Sequence, residues 1–221
     1  MFLVLGSCRV LVTMNHSKYK CLNTFKEVGK RNLNPKCLIG RGWSINEHFE
    51  MIQLILGFKK HTEYIGDEYS YDDIKQNIDF INNNFNDING LIIEVSSLKY
   101  FKDSSGKIIH NITLENRTDR TCEKLNEEET TFYLRELIKL VPNKKIYFVN
   151  HFLHDKIPDR LLIDKCLNKI KNDNIYIITP SILFEDNPCN FLSNDNIHYK
   201  NNEIIHLIAK YIDSIIEKSA F

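Results

Sequence analysis

Short apolar runs and amphipathic stretches alternate along this chain. Phe2 to Leu5 is apolar from the first residues and stops at Gly6, the pattern of a buried parallel strand. Residues 15 to 45 are rich in Asn, Lys, Gly and Pro, and their one apolar patch, Cys37 to Ile39, is a candidate second strand. From 46 to 58 the pattern predicts a helix capped by Asn46, with Phe49, Ile52, Leu54 and Ile55 as its apolar stripe. Residues 71 to 85 repeat that spacing with Ile74, Ile78 and Ile81. Leu91 to Val95 reads as a central strand after a turn at Asp87 to Gly90. Tyr100-Phe101 and Ile108-Ile109 flank Asp103 to Gly106, which predicts a β-hairpin. A helix is expected over 124 to 141, a strand over Ile146 to Val149, a helix over 158 to 171 and a strand over Ile175 to Ile178. The last helix is predicted over 201 to 217, with Ile204, Ile205, Leu207, Ile208, Tyr211 and Ile215 on its apolar side.

Strands and helices therefore alternate. This order predicts an α/β fold: a three-layer α/β/α sandwich with a mainly parallel central sheet and helices on both faces. No internal repeat, linker or low-complexity tail interrupts it, so one domain over 1–221 is expected. In such folds ligands bind at the carboxyl ends of the strands. The polar residues at those ends are the first places to look for chemistry.

Composition narrows the function classes. Hydrophobic residues make up 43% and charged residues 26%, ordinary values for a globular domain. Lysine plus arginine equals aspartate plus glutamate at 29 each, which gives no overall footprint for nucleic acid or anionic membrane. The six cysteines include no C-x-x-C pair and no zinc-finger spacing. The N-terminus lacks a basic segment and a long apolar core, and no later run has the length of a membrane span. A cytoplasmic protein with reduced thiols is the expectation, with neither nucleic acid nor membrane as partner.

The first strand runs into Gly6-Ser7-Cys8-Arg9. A serine directly after a buried strand presents its hydroxyl at the sheet edge, where backbone N–H groups of a following turn or helix face a developing oxyanion. The competing reading is a turn cap beside a small buried cysteine. Near the other end, Asp195-Asn-Ile-His198 precedes the last helix. A carboxylate near an imidazole fixes its tautomer and stabilises its protonated form; the competing reading is a solvated loop.

Taken together, the two ends resemble the SGNH (GDSL-like) hydrolase superfamily, in a variant with Gly-Ser-Cys in place of Gly-Asp-Ser in the first block. That resemblance implies a flavodoxin-like fold and a catalytic triad of Ser7, Asp195 and His198. Members include esterases, lipases, carbohydrate deacetylases and some acyltransferases. The middle of the chain departs from the pattern. Gly40 or Gly42 is available for the second-block glycine. The third block, usually Gly-x-Asn, is replaced by Ser96-Ser97, and Asn150-His151 at the next strand end is the other candidate. The expected oxyanion donors are the Ser7 amide, Gly42 and Asn150, with Ser96 and His151 as further candidates at the site.

Arg9 beside the nucleophile suits an anionic or sugar-phosphate group, or alternatively a surface salt bridge. A second wiring pairs Cys8 with His151 as thiol and imidazole. Glu47, His48 and Glu50 read as a solvated helix face, or alternatively as a border of the site. The remaining histidines, His16, His61, His110, His154 and His206, show no ligand spacing, and neither metal nor cofactor is expected. Three readings follow: a serine-dependent hydrolase of a small-molecule or carbohydrate acyl ester, an acyltransferase using the same triad with a sugar acceptor, and a non-catalytic binding domain on the same fold. A metal-dependent phosphoesterase lacks the clustered carboxylates and histidines it needs.

Overall fold

The apolar run at the start forms β1 (Phe2–Leu5), and every residue of it is buried. The computed structural model describes residues 1–22, 43–60, 65–66, 71–110, 120–150, 158–184, 190–193 and 198–219. Beside β1 lie β2 (Cys21–Leu22) on one side and β4 (Gly90–Val95) on the other, both parallel to it. Next come β8 (Lys145–Asn150) and β9 (Ile175–Ile178), also parallel. The sheet order is β2-β1-β4-β8-β9. Counting its members along the chain, this is 2-1-3-4-5, the flavodoxin-like order, whose switch point lies beside the first strand.

The pleat divides the strand residues between two apolar layers. Phe2, Val4, Ile92, Tyr147 and Val149 face α1 (Cys8–Met14) and α6 (Asn202–Lys218). Leu3, Leu5, Leu91, Ile93, Val95, Ile146 and Phe148 face the other side. There they pack on α2 (Ile45–Ile55), α3 (Tyr71–Asn83), α4 (Glu127–Leu140) and α5 (Pro158–Asn168). Helices thus cover both faces of a parallel sheet, which is the architecture the alternation predicts.

The predicted hairpin is present as β5 (Lys99–Lys102) and β6 (Ile108–His110), antiparallel with Phe101 opposite Ile109. It belongs to a second, four-stranded sheet with β3 (Ile65–Gly66) and β7 (Thr121–Lys124). The pattern of residues did not announce that sheet, because two-residue and mostly exposed strands carry almost no periodic signal.

Several local expectations are corrected. The cap of α2 is Ser44, with Glu47 closing a capping box, and not Asn46, which is buried. Glu47, His48 and Glu50 are buried at 2%, 1% and 7% exposure, so they form no solvated face. Glu47 accepts from the amides of Trp43 and Ser44 at 2.9 and 2.8 Å, the His48 ring lies 2.9 Å from the Glu94 carbonyl oxygen, and Glu50 pairs with Lys59. On α6 the buried stripe is Ile208, Ala209, Ile212 and Ile216, a helical i, i+4, i+8 row. Leu207, expected on that side, is 43% exposed. Cys37 to Ile39 lies outside the described residues, and the strand beside β1 is Cys21–Leu22. Among the described residues no helix is long and apolar enough to cross a membrane.

Candidate active site

Chain direction at the end of β1 is set by Gly6, whose φ is 151°. A β-carbon on Gly6 would lie 2.5 Å from Val10 Cγ1 and 2.7 Å from Glu94 Cβ. Glycine alone combines that backbone conformation with so close an approach. The turn brings Ser7 to the N-cap of α1, where its oxygen accepts from the Arg9 amide at 3.3 Å.

Ser7 then meets Glu94, the one charged residue of β4. The Ser7 amide donates to Glu94 Oε2 at 3.0 Å, and the Ser7 hydroxyl donates to the same oxygen. Arg9 Nε donates to the other oxygen, Oε1, at 3.0 Å. Ser7, Arg9 and Glu94 are 2%, 7% and 1% exposed. A carboxylate removed from water to this degree is costly unless paired and hydrogen-bonded. Three donors on its two oxygens offset that cost. From behind, the imidazole of His48 on α2 sits 2.9 Å from the Glu94 carbonyl oxygen.

Two further side chains lie within electrostatic reach of this pair. Burial lowers the Arg160 guanidinium to about 10, with the Arg9 charge acting in the same direction and Glu94 against it. Tyr199 is pushed well up, first by burial and then by the Glu94 charge, with Arg9 opposing. Arg160 comes from the first turn of α5, and Tyr199 directly follows His198.

The segment carrying His198 returns on itself as a narrow antiparallel ladder. Leu192 and Tyr199 form a bridge, Ser193 donates to the His198 carbonyl at 2.8 Å, and Lys200 donates to the Phe191 carbonyl at 2.8 Å. The His198 side chain is exposed. The Ser7 hydroxyl donates to Glu94 and not to His198. Asp195, Gly40, Gly42 and His151 lie outside the described residues, as does the Cys8 side chain.

The expected oxyanion donors have other partners where they are described. The Ser7 amide donates to Glu94 and does not face outward. Asn150 ends β8 opposite Val95 and is fully buried. Its Nδ2 donates to Asp164 Oδ1 at 2.9 Å, while its Oδ1 is buried with no hydrogen-bond partner among the described residues. The Ser96 amide donates to the Trp43 carbonyl at 2.9 Å, and its hydroxyl points to the same oxygen at 3.5 Å.

The fold therefore brings together Ser7 and Arg9 of the residues singled out in the sequence, and joins them through Glu94. Glu94 had a visible signal: a lone carboxylate at the carboxyl end of an otherwise apolar, buried strand. Tyr199 and Arg160 had none, since their relation to Arg9 exists only in the folded chain. Among the described residues no group of three or more His, Cys, Asp or Glu is placed to hold a metal ion.

No protein-family model and no curated protein matches the chain. Among solved structures, an acetyl xylan esterase from the rumen bacterium Butyrivibrio proteoclasticus is similar at 13% identity and a TM-score of 0.44. The match covers 99% of this chain and 64% of that one, so the chain spans less than two thirds of that structure's length.

Proposed function

We propose that this protein hydrolyses acyl esters, with Ser7 as the nucleophile. The observation that carries the reading is the placement of Ser7: buried, at the carboxyl end of β1, next to the sheet's switch point and beside the Arg9–Glu94 pair. A serine that merely capped a seven-residue helix would not need a charged pair drawn into the interior around it.

In this reading the Ser7 hydroxyl proton turns from Glu94 to His198 about the Cβ–Oγ bond, His198 takes it as Ser7 Oγ bonds to the ester carbonyl carbon, and Asp195 orients the imidazole. The carbonyl π electrons move to oxygen. As the tetrahedral intermediate collapses, the bond to the alcohol oxygen breaks and His198 returns the proton to that oxygen. Water then repeats the sequence on the acyl-serine, releasing the acid. The acyl group is small or carried on a carbohydrate. Arg9 is buried and paired with Glu94, so its part is to hold that carboxylate and not an anionic group of the substrate. Gly42 and His151 are the residues from which the oxyanion donors are drawn, since the donors of Asn150 and Ser96 are held by Asp164 and Trp43.

A sugar hydroxyl in place of water gives an acyltransferase with unchanged residues. The test is turnover of acetylated sugars and p-nitrophenyl acetate, with and without a sugar acceptor, for the wild type and Ser7→Ala. Hydrolysis lost in Ser7→Ala supports the reading, and acyl transfer appearing only with the acceptor selects the transferase. Turnover that survives in Ser7→Ala excludes both.

One observation favours a non-catalytic domain as a second reading. Both Ser7 donors are committed to Glu94, an arrangement that also serves to hold a turn. Absence of turnover and of serine-directed labelling in the folded protein selects it.

A further inference from the structure

We propose that Glu94 is the positioning residue for Ser7, fixing the place of Oγ at the strand end by holding both Ser7 donors on one carboxylate oxygen. This rests on the reading of Ser7 as the nucleophile.

The argument begins with the geometry of the carboxylate. Oε2 accepts from the Ser7 amide and the Ser7 hydroxyl together, so rotating the Ser7 side chain away breaks a hydrogen bond to a charged group. Oε1 is held by Arg9 Nε, which stops the carboxylate from turning to follow the serine. The backbone of Glu94 is itself fixed. It pairs with Val149 of β8, its neighbour Ile93 pairs with Leu5 of β1, and its carbonyl oxygen meets the His48 imidazole. Ser7 Oγ is thereby referenced to the centre of the sheet, although it sits in a turn. An acyl-transfer nucleophile needs that. The reacting atoms must lie about 3 to 3.5 Å apart in a defined direction, and a 1 Å misplacement costs about 10²-fold in rate.

The chemistry of the side chain is specific. Three donors converge on Glu94, two from Ser7 and one from Arg9. A carboxylate offers two acceptor oxygens. The amide of glutamine offers one, and must turn its NH₂ either on the Ser7 donors or on the guanidinium. Glu94→Gln therefore breaks one side of the arrangement while leaving the shape unchanged. A corollary concerns the oxyanion. With its amide on Glu94, Ser7 does not supply the donor expected of it, and other residues must.

The competing possibility is that Glu94 only satisfies the start of α1. Melting temperature alone does not separate the two, but the rate at Ser7 does. The experiment measures the second-order rate of fluorophosphonate labelling at Ser7 by intact mass. It also measures kcat and KM on p-nitrophenyl acetate and the thermal transition, for the wild type, Glu94→Gln and the double variant Arg9→Met with Glu94→Met. The double variant covers the case in which Glu94→Gln leaves a buried guanidinium unpaired and fails to fold, because replacing a buried ion pair by apolar residues is often neutral for stability.

Expected are folded variants whose labelling and kcat are lower by about 10²-fold with KM unchanged. A folded Glu94→Gln or double variant that labels within about threefold of the wild type overturns the positioning role and leaves Ser7 as nucleophile. A wild type that is folded and does not label at all overturns the reading of Ser7, and this inference with it.

Discussion

Gly6 packs against Glu94 so closely that a β-carbon on it would lie 2.7 Å from the Glu94 Cβ. The contact ties the turn after β1 to the strand beside it, and it occurs at a φ of 151° that L-residues rarely adopt. Gly6→Ala therefore adds backbone strain to overpacking. Together these are expected to cost about 2 to 5 kcal/mol, read as a lower midpoint in urea unfolding. The same variant displaces Ser7 from Glu94 and slows any reaction at the serine.

Asn150 and Asp164 join the end of β8 to α5 through a part-buried 2.9 Å hydrogen bond. Asn150→Ala leaves the carboxylate without that donor and is expected to cost about 1 to 3 kcal/mol. Asp164→Ala leaves the amide unsatisfied. Because the two residues are in contact, the double variant is expected to lose less than the sum. A coupling of about 0.5 to 3 kcal/mol from denaturant unfolding checks the contact.

Much of the central sheet was legible in the sequence, and for a physical reason. Phe2 to Leu5, Gly90 to Val95 and Ile146 to Val149 are buried on both faces, so apart from Glu94 they appear as apolar runs bounded by polar or turn residues. Cys21–Leu22 was hidden, because a two-residue strand in a polar stretch has no period to detect. Ser7 was legible as a polar residue at a strand end. The use of its hydroxyl was not, because its partner lies 87 residues away and only the parallel pairing of β1 with β4 brings them together. Glu47, His48 and Glu50 were misread as solvated for a related reason. Charged residues at a helix start read as surface until their partners in the interior are known.

Alkaline pH provides a check on packing around α6 and the site. Burial raises the phenols of Tyr147, Tyr199 and Tyr211 above the ordinary value of 10.0. The folded chain then keeps these protons after the unfolded chain has lost them. Their contribution to stability is fully present below pH 10.0 and falls as pH rises through and beyond it. Phenolate absorbance is expected to show these three phenols, and that of the buried Tyr100, ionising only at higher pH or on unfolding. A single ordinary transition for all tyrosines at unchanged fold contradicts the burial.

Thiol reactivity distinguishes the described cysteines. Cys122 is a free thiol exposed on β7, whereas Cys21 and Cys166 are buried, and burial raises the Cys166 thiol. A disulfide reagent is expected to modify Cys122 in the native protein, and Cys21 and Cys166 only after denaturant is added. Mapping by peptide mass checks the order.

The central claim is that Ser7 is an activated nucleophile, and its most direct test is intact-mass measurement after exposure of the native protein to a fluorophosphonate probe, with Ser7→Ala and Cys8→Ala alongside. The account predicts a single adduct on the wild type, retained in Cys8→Ala and lost in Ser7→Ala. Labelling that persists in Ser7→Ala, or a folded wild type that takes up no probe, contradicts it.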